Sequence, residues 1–269
     1  MSVDSMVAVS SAAMDSSLGY LLLFAAGLVA GTVNVIAGGG SFLTLPVLIF
    51  LGLPPGIANG TNRVGILLQN VAAVWSFRRH GYFDRSALAW AGLPALLGGA
   101  LGAWLALWIS DRAFQQVLAV LMVAVTLWTL WSSHREAGPP KPGGGESPQS
   151  PAGSPWLLGA GFFAVGIYGG FIQAGVGYLV LAVTTAAGLD LVRGNVVKVL
   201  AVLCMTAQAL LIFAWQGRVD WLLGLCLAAG TILGGLLGAR LTVLKGHRWL
   251  RRAVTATIVV FAVKLWLSV

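Results

Sequence analysis

The chain has 269 residues, of which 58% are hydrophobic and only 9% charged, with a mean hydropathy of +0.89. A soluble domain carries about 25% charged residues, so there are too few charges here to coat a surface facing water. The formal net charge of +8 does not indicate nucleic acid as a partner. The cations stand mostly at the ends of apolar segments, where they orient those segments in a lipid bilayer, and are not gathered on a polar face.

Residues 1–17 hold Asp4 and Asp15 and no Lys or Arg. A cleavable signal would begin with basic residues, so this stretch reads as an external tail and the first apolar run stays as a helix. Apolar segments follow at 18–37, 41–53, 57–77, 86–109 and 113–131. A full span needs about 20 residues, which 41–53 lacks, and this segment follows Gly38-Gly39-Gly40. Residues 133–154 hold five of the ten prolines and read as a disordered linker. Five more segments follow at 155–173, 177–189, 194–215, 219–243 and 249–268. Of these, 177–189 is again short and sits at a glycine cluster, Gly175 and Gly177. The expected organisation is a tail (1–17), a first membrane repeat (18–132), a linker (133–154) and a second membrane repeat (155–269).

The two halves resemble each other. Gly81 and Asp84 recur 136 residues later as Gly217 and Asp220, and Asn59 and Asn62 correspond to Asn195 and Lys198 at the same offset. The stretch from Gly98 to Ala103 corresponds to that from Gly234 to Ala239, and Ala37-Gly38-x-Gly40 corresponds to Ala174-Gly175-x-Gly177 one residue further out. Five segments per half is an odd number, so the second copy is expected to enter the membrane upside down, as an inverted repeat. Placing Arg78, Arg79 and Arg85 in the cytoplasm also puts Arg135, Lys141, Arg193, Lys245, Arg248, Arg251 and Arg252 there, against Arg112 and Arg218 outside. This positive-inside bias predicts external termini, a cytoplasmic linker and a multi-pass protein of the bacterial inner membrane.

Two features could carry chemistry. The first is the pair of glycine breaks. Gly38, Gly39, Gly40 and Ser41 in one half, and Gly175, Gly177 and Tyr178 in the other, each open a short helix. Backbone N–H groups at such a break lack helical partners and attract anions. Ser41 can cap the short helix and Asn34 can line the break. Glycine also lets helices pack closely, and that is the reading taken for Gly27/Gly31, Gly98/Gly102 and Gly234/Gly238. The second feature is a polar stripe at helical spacing, Asn59, Asn62, Arg63, Gln69 and Asn70, with a looser counterpart in Asn195, Lys198 and Gln208. Arg63 and Lys198 lie several residues inside their segments, where a charge is costly and points to function. Snorkelling to the headgroups is the competing reading for each.

No Asp or Glu lies deep in any segment, which disfavours cation or proton carriage and favours an anionic solute. Histidines 80, 134 and 247 fall in loops, Ser41 has no His partner in the membrane, and no close His/Cys/Asp/Glu cluster is present. An enzyme, a metal site and a bound cofactor therefore have no support. Cys204 and Cys226 lie within apolar runs and read as packing residues.

The run from Ala26 to Asn70, with its glycine break, Pro46 and the stretch Ala58-Asn59-Gly60-Thr61-Asn62, resembles the first repeat of the TauE/SafE (sulfite exporter) family of membrane permeases. The second repeat is similar from Gly166 to Lys198, and the Gly81-x-x-Asp84 turn also fits. The second repeat departs in having Val196-Val197 where the first has Gly60-Thr61. The resemblance implies passage or export of sulfite, an organosulfonate or a related carboxylated anion. The fold expected is all-α, with ten segments in two inverted repeats. Arg63 and Lys198 are expected to supply charge, and Asn34, Asn59, Asn62, Gln173 and Asn195 to supply hydrogen bonds. An anion channel and a scaffold that recruits a partner through the linker stay open as alternatives, as does the oligomeric state.

Overall fold

A computed structural model describes residues 17–37, 39–79, 81, 85–135, 155–189 and 191–245. The described residues form helices and connecting turns, with no strand among them. The helices are α1 (Ser17–Ala37), α2 (Ser41–Phe50), α3 (Pro55–Arg79), α4 (Leu93–Trp108), α5 (Asp111–Arg135), α6 (Pro155–Phe171), α7 (Val176–Ala186), α8 (Leu191–Trp215) and α9 (Trp221–Lys245). A π-helical turn, Leu88–Gly92, leads into α4. It lies just before Pro94, whose ring clashes with a carbonyl one turn back in a regular helix, so the widened turn accommodates it. Helix α5 runs through Arg135, three residues into the stretch read as linker. The expected segment 249–268, Gly38, Asp84 and residues 136–154 lie outside the described residues.

Both short segments are separate helices. Helix α2 has 10 residues and α7 has 11. At about 1.5 Å per residue neither reaches across a hydrocarbon core of about 30 Å. Among the described residues, three stretches are long and apolar enough to cross a membrane: Ser17–Asn34, Leu88–Trp108 and Arg193–Trp215. The 25-residue helix α3 is long enough as well, but its polar stripe lowers its hydropathy.

The packing is crossed between halves. Helix α1 lies against α9, and α6 lies against α4. In both pairs glycines bring backbone onto backbone. A Cβ built on Gly31 would stand 2.1 Å from the Thr231 carbonyl oxygen, and one on Gly102 would stand 1.9 Å from that of Ile167. Lipid gives helices no hydrophobic drive to associate, so such close approach supplies much of the packing energy. Contacts of residues 24 and 28 with 230 and 234, and of 95 and 99 with 166 and 170, show that each pair runs parallel. Helices α3 and α8, which correspond at the 136-residue offset, run antiparallel: Gly60 near the start of α3 meets Phe213 near the end of α8 and Arg218 in the turn after it.

The outer face is apolar. Leu21, Leu211 and Leu222 are each more than 60% exposed. Trp108, Trp156, Trp215 and Trp221 sit exposed at helix ends, the usual depth of an interfacial aromatic belt. Such a surface is at home in lipid and unfavourable in water.

Candidate functional site

The stripe on α3 divides into two environments. From Ala58 to Ile66 every residue is buried, whereas Ser76 near the other end is exposed. In the buried half lies Arg63, with none of its surface exposed. Its Nη1 donates to the Gly169 carbonyl (3.0 Å) and to Gln173 Oε1 (2.9 Å). Its Nη2 donates to the Gly170 carbonyl and to Asn59 Oδ1 (3.3 Å). Its guanidinium carbon sits 4.9 Å from the centre of the Phe213 ring.

The second-half break explains this arrangement. Because α6 stops at Phe171, its last carbonyls have no partner further along the helix and carry the negative end of the helix dipole. Arg63 and Asn59, reaching from the other half, satisfy them; Asn59 Nδ2 donates to the Phe171 carbonyl at 2.8 Å. Gln173 sits at φ 56°, uncommon for a residue with a Cβ. Its side chain is held at both ends, accepting from Arg63 and donating to Thr206 Oγ1.

The two breaks also cover each other. A Cβ on Gly39 would strike the ring of Tyr178, and one on Gly175, itself at φ 70°, would strike the ring of Phe42. Each break is thus roofed by an aromatic ring from the first turn of the other half's short helix. Several of the break N–H groups are used locally, Phe42 N on the Gly39 carbonyl and Tyr178 N on that of Gly175. Asn62 Oδ1 accepts from Thr44 Oγ1 at 2.6 Å, while Asn62 Nδ2 is buried without a partner among the described residues.

The exposed half of α3 lines a cavity of about 230 Å³. At ~30 Å³ per water this is room for a small hydrated solute. Its polar lining comprises Asn34, Gln69, Asn70, Ser76, Asn195 and Lys198, and no carboxylate is among its lining residues. Lys198 is 7% exposed and makes no hydrogen bond or ion pair with any described residue. The amides are oriented by their neighbours: Asn34 Nδ2 donates to Gln69 Oε1 (3.0 Å), and Gln69 Nε2 to the Gly31 carbonyl (3.3 Å). Asn70 Nδ2 donates to the Ile66 carbonyl (2.7 Å). Each of these amide nitrogens has a second N–H left over.

Of the residues singled out from sequence, the structure brings Asn34, Asn195 and Lys198 together at the cavity. It brings Asn59, Arg63 and Gln173 together in the buried cluster. Gly39, Gly40, Ser41, Gly175, Gly177 and Tyr178 lie at the breaks, outside the cavity lining. Gln69 and Asn70 belonged to the stripe but not to the expected site. Ser76, seven residues after Gln69 on the same helical face, also lines the cavity and is not among the residues singled out from the sequence.

A helical bundle with an apolar outer face, and a partly open cavity into which a lysine and several amides project, fits the class of multi-pass membrane transport proteins. Residues 23–265 match the family described as "Sulfite exporter TauE/SafE". The chain belongs to that family of membrane transporters. It is 29% identical over 253 residues to the "Probable membrane transporter protein YfcA" of Escherichia coli (strain K12), covering 94% of this chain and 91% of that protein. It is 30% identical over 243 residues to a "Probable membrane transporter protein" of Haemophilus influenzae, covering 90% and 92%. Among more distant relatives, YunE of Bacillus subtilis is 24% identical over 260 residues. No solved structure matches the chain.

Proposed function

We propose that the protein carries a small anion, such as sulfite, an organosulfonate or a related carboxylated anion, across the bacterial inner membrane. The observation that carries this reading is Lys198: a nearly buried ammonium with no counter-charge among the described residues, in a cavity lined otherwise by amides, the Ser76 hydroxyl and apolar groups. Holding such a charge away from water costs several kcal/mol, and an anionic solute offsets that cost. A cation gains nothing there. Asn34, Gln69, Asn70 and Asn195 supply hydrogen bonds to the anion's oxygens.

The inverted-repeat reading is supported by the antiparallel run of α3 against α8 and by the crossed packing of α1 on α9 and α4 on α6. By the loop charges, the end bearing Arg78, Arg79 and Arg193 is cytoplasmic, and Ser76, an exposed residue of the cavity lining, lies toward that end of α3. The first half of α3, buried from Ala58 to Ile66, is the feature that favours a carrier over a channel.

The test is uptake and counterflow in proteoliposomes with sulfite, sulfoacetate, thiosulfate, the zwitterion taurine and methylammonium. Saturable uptake of one or more anions with counterflow is the expected result. Linear, non-saturating flux would favour a channel. Selective uptake of methylammonium would refute the reading.

A further inference from the structure

At the 136-residue offset Asn59 corresponds to Asn195, Asn62 to Lys198 and Thr206 to Asn70. The buried Arg63 cluster therefore occupies, in the first repeat's frame, the place that the open cavity occupies in the second's. We infer that the Arg63 cluster is a second anion half-site, shut in this conformation, and that the Gly169 and Gly170 carbonyls with Gln173 Oε1 stand where an anion's oxygens stand when it is open. This rests on the proposed anion reading for the identity of the solute, but not for the opening itself.

Three observations carry it. The first is chemical: the fork of an arginine matches a planar or tetrahedral oxyanion, and here its Nη1 and Nη2 hold only neutral oxygens. Neutral oxygens are weaker partners for a cation than an anion's are, so the anion can displace them. The second is that this half is closed by a clasp whose two residues the other repeat replaces. Gly60 lets the Arg218 carbonyl oxygen come to 1.9 Å from where a Cβ would stand, and Thr61 Oγ1 accepts from Asp220 N at 2.9 Å. The corresponding residues in the second repeat are Val196 and Val197, which offer neither the space nor the acceptor. The third is that Ala209, which corresponds to the cavity-lining Ala73, is completely buried beside this cluster in the same packed core as Phe213. The two repeats thus differ at the clasp residues, and that difference accounts for this end being the shut one.

The experiment uses single-cysteine proteins, Ala73→Cys and Ala209→Cys, in a Cys204→Ala, Cys226→Ser background. They are labelled with a membrane-impermeant maleimide in right-side-out and inside-out vesicles. No solute is required, so a failure to find transport leaves this test standing. With the latch intact, Cys at 73 is expected to label fast from the Arg78–Arg79 side, and Cys at 209 slowly and only from the opposite side. Arg63→Gln or Gly60→Val is expected to speed labelling at 209 from that side at least tenfold and to slow labelling at 73. Gly60→Val installs the residue that the second repeat already tolerates, and decides the matter if Arg63→Gln does not run as a single species on size exclusion. Labelling at 209 from the Arg78–Arg79 side, or a rate unchanged by the latch variants that fold, overturns the inference. So does complete protection at 209 with the latch intact over prolonged incubation.

Discussion

Replacing Lys198 with Gln removes the one cation among the described residues that line the cavity, while keeping a side chain of similar length that can still donate a hydrogen bond. Two unit charges about 4 Å apart at an effective dielectric of roughly 20 attract by about 4 kcal/mol. The anion gives up water to enter, so the net loss is closer to that of a charge-assisted hydrogen bond, about 1.5–3 kcal/mol. At 1.4 kcal/mol per decade this is a rise of about 10- to 150-fold in the apparent KM for anion uptake. Lys198→Arg retains the charge and is expected to stay within about tenfold of wild type. The assay is initial-rate uptake into proteoliposomes over a range of anion concentrations, with size-exclusion profiles confirming equal folded protein. A KM for Lys198→Gln within twofold of wild type, in folded protein, would refute the assignment of Lys198 to the solute.

The remaining predictions concern packing and the linker. Gly102→Ala places a Cβ 1.9 Å from the Ile167 carbonyl oxygen, and is expected to destabilise by about 1–3 kcal/mol, read as a lower melting temperature in detergent. Gly159→Ala meets only Pro94, at 3.9 Å, and should leave the melting temperature unchanged. Thr44→Val strands the buried Asn62 Oδ1 and is expected to cost about 1–3 kcal/mol, measured in the same way. Deleting residues 136–153 is expected to leave anion uptake largely intact, whereas loss of cellular function with full uptake in vitro would favour the scaffold alternative.

Much of the fold is legible in the sequence because a bilayer imposes simple rules. Segment length, the two short runs after glycine clusters, and the GxxxG spacings of Gly27/Gly31 and Gly98/Gly102 all answer to helix rise and close packing, which are local properties. Which helices those glycines join is not local. That α1 packs on α9 and α4 on α6 depends on the crossing of the two halves, and no spacing within one half encodes it. The candidate site shows the same division. The stripe from Asn59 to Asn70 is plain at helical spacing, but its partition into a buried cluster and an open cavity is not. That partition depends on where α6 ends, because the bare carbonyls of Gly169 and Gly170 claim Arg63. Lys198, one residue out of register with Arg63, meets no such carbonyls and faces the cavity. The difference between Gly60-Thr61 and Val196-Val197 is visible in the sequence, yet it acquires meaning only when the turn from Arg218 to Asp220 is seen resting on the first pair.

The claim that an anion occupies the Lys198 cavity is tested most directly by solute protection of Cys at position 73. In the single-cysteine protein, sulfoacetate or sulfate is expected to slow maleimide labelling in a saturable manner, taurine and methylammonium are not, and the protection is expected to vanish when Lys198→Gln is added. Equal protection by cationic and anionic solutes, or protection that survives the loss of Lys198, would contradict the account.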